Sequence, residues 1–125
     1  MIVLDSSIVL ASAFGEPGRI DLAEIYDQSA ISTYILAEIA SKLQDRKFDR
    51  ERSDLLMKYL EPISVALTIS QAIQAGRWRD ATRHLGLSLG DRCCLALAHE
   101  LGAEAYTADR VWAQLDLGVT VRVIR

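Results

Sequence analysis

Cysteine is scarce in this chain: the two it has, Cys93 and Cys94, are neighbours. Adjacent cysteines in a helical pattern are poorly placed to bond each other, and two of them cannot build a disulfide framework or a metal quartet. They read as reduced, buried, small apolar groups of a cytoplasmic protein. Histidine is as scarce, and neither His84 nor His99 stands in a visible Ser-His-Asp or Cys-His relay. Prolines occur only at Pro17 and Pro62, both at plausible element boundaries, and there is no repeat, low-complexity segment or linker. The 125 residues therefore read as one domain, 1–125. No apolar run approaches the roughly 20 residues that a bilayer demands, so a soluble protein with no membrane partner is expected. A secretory leader is not expected either. Ile8 to Phe14 is nearly apolar and Ala11-Ser12-Ala13 mimics a cleavage site, but the first charged side chain is Asp5 and two serines follow it.

A large excess of either charge is also lacking. Fourteen Lys and Arg against seventeen Asp and Glu leave a net charge of -3, which argues against indiscriminate nucleic-acid binding. The basic residues are nonetheless grouped, with Lys42, Arg46, Lys47, Arg50, Arg52 and Lys58 in one span and Arg77, Arg79, Arg83 and His84 in another. A basic face beside an acidic cleft and a merely solvated helix surface fit that grouping equally well.

What the chain does have is alternation of short apolar runs with helical patterns. Strands are expected at Ile2 to Asp5, Ala30 to Ser32, Ile63 to Leu67, Glu104 to Thr107 and Val119 to Ile124. Helices are expected from about Ser7, after Pro17 through Ile20, Leu22, Ala23, Ile25 and Tyr26, and along the Ile35, Leu36, Ile39, Leu43 stripe. Further helices are expected around Leu55 to Leu60, closed by Pro62, and over Ser70 to Leu85, Leu89 to Leu101 and Asp109 to Leu115. Gly102 ends the helix that Leu101 completes. Strands alternating with helices predict an α/β fold, a three-layer sandwich with a central parallel sheet flanked by helices.

The opening "MIVLDSS" poses the functional question. Asp5, Ser6 or Ser7 could cap the helix that Ile8 begins, or Asp5 could stand at the carboxyl end of a buried parallel strand, where open α/β sheets keep their sites. Three more acids share that placement: Glu38 in the helix after the second strand, Asp91 opening the "SLGDRCCLALA" helix, and Asp109 after the "AYT" strand. Each has a plain structural explanation. Asp109 is an N-cap candidate. Asp91, three residues after Ser88, fits a capping box or the favourable helix terminus, worth about 0.3 to 1 kcal/mol. Glu38 precedes Lys42 by four, an order that suits a surface ion pair worth about 0.2 to 0.5 kcal/mol. Yet at about 100° per residue Glu38 falls on the edge of the apolar stripe, where a cleft wall would be.

If the four acids converge, their mutual repulsion demands protons or cations. A cluster of carboxylates without histidine suits Mg²⁺ or Mn²⁺ rather than Zn²⁺, and carboxylate-held ions serve phosphoryl chemistry, with a phosphodiester as the natural substrate. Ser6 and Thr107, hydroxyl residues beside the acids, are candidates for orienting the carboxylates, or equally for capping and turn formation. Arg92 and Arg110 flank two of the acids and are candidates for substrate contact, or for simple ion pairs. Asp116 lies near the end of the last expected helix, where the dipole disfavours an acid, and is left out of the set.

"MIVLDSS", "YILAEIASKL", "LSLGDRCCLALAHELG" and "AYTADRVWAQLDLGV" together resemble the PIN-domain ribonucleases, and more closely the VapC toxins of bacterial type II toxin–antitoxin modules. The resemblance runs from residue 1 to the last strand. It implies a PIN-like fold with the acidic quartet at Asp5, Glu38, Asp91 and Asp109, and a hydroxyl after the first acid at Ser6, where Thr is commoner. It implies a Mg²⁺- or Mn²⁺-dependent endoribonuclease acting on structured RNA such as tRNA or rRNA, silenced by a cognate VapB-like antitoxin and commonly a homodimer. Hydrolysis by a metal-activated water would leave 5′-phosphate and 3′-hydroxyl ends. Two other readings stay open on the residues alone: a non-catalytic α/β protein-binding module whose acids are helix caps, and a phosphohydrolase with Asp5 as nucleophile, although Ser7 stands where its second acid would be.

Overall fold

The first strand, β1 (Ile2–Leu4), is three consecutive buried aliphatic residues, the signature of a strand covered on both faces. In the computed structural model, which describes residues 1–16 and 19–124, β1 pairs in parallel with β2 (Ser29–Ser32) on one side and β4 (Glu104–Thr107) on the other. The edges are β3 (Ser64–Val65), parallel to β2, and β5 (Val121–Val123), parallel to β4, giving a five-stranded sheet in the order β3-β2-β1-β4-β5. The chain winds outward from β1 to β3, then returns to lay β4 against β1. The strand order therefore reverses between β1 and β4, and the crevice beyond their carboxyl ends is where such sheets place sites. Asp5 immediately follows β1, its N–H still donating to the Tyr106 carbonyl at 2.9 Å, and Asp109 lies two residues beyond β4.

The helices flanking the sheet are α1 (Ser6–Ala13), α2 (Leu22–Ile25), α3 (Thr33–Asp45), α4 (Arg50–Leu60), α5 (Ile69–Arg77), α6 (Arg79–Thr82) and α7 (Leu89–Leu101). Their faces join the strands in one core that includes Val3, Leu4, Val9, Ile31, Ile35, Ile39, Leu60, Leu95, Leu97 and Trp112, all at most 1% exposed. Such side chains are each worth about 1.5 to 3 kcal/mol on burial. Helix α7 packs on β1, β2 and β4 and is closed at both ends as its sequence requires. Ser88 and Asp91 form a reciprocal capping box, and Gly102 takes the left-handed conformation, φ 62°, while the Ala103 N–H reaches back to the Ala98 carbonyl. No helix among the described residues is long and apolar enough to cross a membrane.

The departures from the expected elements have local causes. The helix expected over Ser70 to Leu85 is broken at Trp78 into α5, α6 and a 3-10 turn at Arg83–Leu85. Trp78 turns inward to meet the Ala75, Cys93, Ala96 cluster and lies edge-on to His99 with ring centroids 5.6 Å apart, and this packing overrides helix propensity. The segment after Asp109 is a 3-10 helix, Arg110–Gln114, rather than an α-helix: one short turn suffices to bury Trp112. Of the helix expected after Pro17, the described residues form α2, opened by Asp21, which accepts the Ala23 N–H at 3.0 Å, and a 3-10 turn at Tyr26–Gln28; Pro17 itself lies outside the described residues. Both edge strands are shorter than expected.

Candidate active site

The Asp5 side chain decides between the two readings of "MIVLDSS". Although Asp5 occupies the N-cap position of α1, it makes no side-chain cap. Its Oδ2 instead accepts two hydroxyl donors, Ser7 Oγ at 2.7 Å and Thr107 Oγ1 at 2.9 Å, from the first turn of α1 and the end of β4. Those hydroxyls are themselves fixed by the loop after β4. Ser7 Oγ accepts the Ala108 N–H at 2.9 Å, and Thr107 Oγ1 accepts the Asp109 N–H at 3.0 Å. Asp5 Oδ1 is buried with no hydrogen-bond partner, on a residue only 3% exposed. A buried carboxylate oxygen left unpaired is costly, and the cost calls for a compensating donor or cation.

The other three acids gather around it. Asp91 Oδ2 accepts the Ser88 N–H at 2.9 Å in the capping box, and Asp109 Oδ1 accepts the Val111 N–H at 3.0 Å. Asp109 is the N-cap of the 3-10 helix and Asp91 completes the capping box of Ser88, as their positions suggest, and each engages one carboxylate oxygen. Glu38 reaches from α3 to the first turn of α7 and lies against Gly90. Burial pushes the Glu38 carboxyl above its ordinary value of 4.5, and Asp5 and Asp91 push it the same way, partly opposed by Lys42 and the Ser6 hydroxyl. Asp91 is raised above 3.8, first by burial and then by Asp5 and Asp109, against the Ser88 hydrogen bonds. Beneath them Cys94, wholly buried, is pushed well above 9.0 by burial and then by Asp5, Asp91 and Glu38. Four side chains distant in sequence thus share one electrostatic neighbourhood.

Lys42 offsets part of this charge at Glu38, but none of the four acids forms an ion pair among the described residues. The ion pairs among the described residues are Arg50 with Asp54 and Arg83 with Asp80, neither of them at this rim. The surface ion pair that would explain Glu38 by its spacing from Lys42 is not among the ion pairs of the described residues, although Lys42 draws the Glu38 carboxyl down. As the side chains stand, no three described His, Cys, Asp or Glu residues converge closely enough to hold an ion. The donor set is all carboxylate, however, and includes a buried oxygen without a partner; its chemistry fits a hard divalent cation such as Mg²⁺ or Mn²⁺.

Ser6 is buried and acts on Glu38, while Thr107 acts on Asp5, so both named hydroxyls reach acids. Ser7, not among the hydroxyls expected to orient the acids, makes the shortest bond to Asp5; its signal in the chain is a hydroxyl two residues after an acid at a strand-to-helix junction. Arg92 is turned into the protein. It is 4% exposed and donates from Nη1 to the Ala75 carbonyl at 2.9 Å, tying α7 to α5. Arg110 is exposed next to Asp109, and Asp116 is exposed beyond the 3-10 helix. An open cleft of about 490 Å³ leads from Ser7 and Asp109 along α1 and α3 past Leu10, Lys42 and Arg46 to Phe14.

A family model described as the PIN domain matches residues 2–117. The chain belongs to the PIN domain family. Solved structures resemble it over nearly its whole length. VapBC2 from Rickettsia felis, bound to a DNA fragment from its promoter, is 15% identical with a TM-score of 0.75, all of both chains being covered. DNA-bound VapBC from Salmonella typhimurium is 15% identical at TM-score 0.74, covering 98% of this chain and 96% of that one. VapC20 from Mycobacterium tuberculosis, a sarcin-ricin loop cleaving toxin, is 18% identical at TM-score 0.72, covering 96% and 99%. At these identities the likeness is one of fold. No curated protein matches the chain. The expected PIN-like architecture, a parallel central sheet between helices, is the one observed.

Proposed function

We propose that this PIN domain acts as a single unit, a divalent-metal-dependent endoribonuclease that forms the toxin half of a toxin–antitoxin pair. The observation that carries the proposal is the Asp5 carboxylate, clasped through Oδ2 by Ser7 and Thr107 while Oδ1 stays buried and unpartnered among three further acids. Asp5, Glu38, Asp91 and Asp109 would hold Mg²⁺ or Mn²⁺, Glu38 directly or through water. When bound, such an ion supplies Lewis-acid activation of water and neutralises phosphate charge. Ser7 and Thr107 keep Asp5 in one orientation, and Ser6 steadies Glu38. The cleft along α1 and α3 admits the RNA strand, with Lys42 and Arg46 offsetting its phosphates. Arg110 remains available for a phosphate; Arg92, buried between helices, does not.

The fold likeness to a sarcin-ricin loop cleaving toxin supports structured RNA, tRNA or rRNA, as the substrate class, and the two VapBC assemblies support a VapB-like antitoxin as the partner. A homodimer in the cytoplasm completes the reading. The test is cleavage of small RNA with Mg²⁺ or Mn²⁺, with and without EDTA, by wild type and Asp5→Asn. Fragments with 5′-phosphate ends that vanish with chelator and in the variant support the proposal. Ends carrying 2′,3′-cyclic phosphate would overturn it, because they arise from attack by the RNA's own 2′-hydroxyl. A second reading, a non-catalytic binding module, is favoured by one observation: Asp91 and Asp109 do serve as caps. It predicts no Mn²⁺ binding that Asp91→Asn removes.

A further inference from the structure

Gly90 has helical backbone geometry and no left-handed φ, unlike Gly15, Gly86, Gly102 and Gly118. Its backbone therefore gives no reason for glycine, and alanine would be the better helix former at that point. The reason is space. A Cβ on Gly90 would collide with Glu38 Oε1 and stand 2.6 Å from Glu38 Cδ, far inside contact distance, whereas at the other described glycines, Gly15, Gly76, Gly86, Gly102 and Gly118, it would meet nothing within 4 Å. The colliding atoms are the end of one flexible side chain and not backbone, so an added methyl would be accommodated by displacing Glu38 and not by moving α7. Gly90 is buried, and the residue after it is Asp91.

We propose that Gly90 is a positioning residue: its bare Cα leaves the room in which the Glu38 carboxylate lies against the first turn of α7, and this placement sets the cation affinity of the acidic site. The inference rests on the reading of Glu38 as part of that site. Any side chain at position 90 would separate Glu38 from Asp91 and leave the other three acids where they are.

The experiment is a cycle of Gly90→Ala, Glu38→Ala and the double variant, read by calorimetric Mn²⁺ titration and thermal melting, with a crystal structure of metal-free Gly90→Ala. Expected are a melting temperature no lower than wild type, a Glu38 carboxylate displaced from residue 90, and Mn²⁺ affinity reduced roughly 10- to 100-fold, the range for groups that orient metal ligands. The same Gly90→Ala change on the Glu38→Ala background should have no further effect, because the carboxylate it displaces is already gone. Glu38 in its original place, unchanged affinity, or losses that add in the double variant would each overturn the proposal. If Glu38 moves but wild type binds no Mn²⁺, the metal-site reading itself has failed and the proposal falls with it; the structure and the titration separate the two failures.

Discussion

The fold treats two sets of acids differently. On the outer helices, Asp54 of α4 pairs with Arg50 at 3.4 Å and Asp80 of α6 with Arg83 at 3.0 Å, all four exposed. At the carboxyl rim of the sheet, Asp5 is buried, Glu38 and Asp91 are half-buried, and none of the four acids has an ion pair among the described residues. Exposed pairs of the first kind contribute about 0 to 1 kcal/mol each and carry little information. Buried and half-buried acids such as Asp5, Glu38 and Asp91 cost stability, and a fold that keeps them without an ion pair is consistent with a ligand that completes them.

The contrast is broken most directly by charge removal. Asp5→Asn should lower RNA cleavage at least about a hundredfold, since cation-based stabilisation of the transition state is worth several kcal/mol. Single-turnover rates check this; activity near wild type in a folded Asp5→Asn protein would place the chemistry elsewhere. Next in size is Thr107→Val, which removes a wholly buried hydroxyl serving both Asp5 and the Asp109 N–H. Denaturant unfolding should show a loss of about 1 to 3 kcal/mol, the cost of stranding buried partners.

The pH dependence is subtler. Glu38 and Asp91 are raised above 4.5 and 3.8, so on acidification the folded chain takes up their protons before the unfolded chain does. The stability they contribute is fully present below their unfolded values and is lost as pH rises through the folded ones. Metal-free protein should therefore lose melting temperature as pH rises from the unfolded values through the folded ones, and Glu38→Gln should flatten the loss. A profile unchanged by the substitution would remove Glu38 from the shared field. The smallest effect is the control: Asp54→Asn on α4 should change stability by less than about 1 kcal/mol and leave cleavage unaltered.

Much of this was legible in the chain. The alternation of short apolar runs with helical stripes predicted the parallel sheet, and helix α7 lies where Ser88, Asp91 and Gly102 say it should. Asp5, Asp91 and Asp109 were visible because each follows a strand or opens a helix, and Glu38 because it sits at the edge of an apolar stripe. What stayed hidden depended on long-range contacts. Ser6 and Ser7 are identical side chains in one helical turn, and only the position of β4 decides that Ser7 meets Asp5. Arg92 adjoins Asp91 in sequence, but one step around α7 turns it inward to the Ala75 carbonyl. Gly90 looks like any turn glycine until Glu38, on another helix, is seen against it. The break at Trp78 likewise follows from its ring's contact with His99.

The central claim is that the rim carboxylates are a divalent-cation site, and calorimetric titration of the metal-free protein with Mn²⁺, wild type against Asp5→Asn, tests it most directly. Saturable binding by wild type that is lost in the folded variant is the predicted result. Binding equal in both proteins, or absent from wild type, would contradict it.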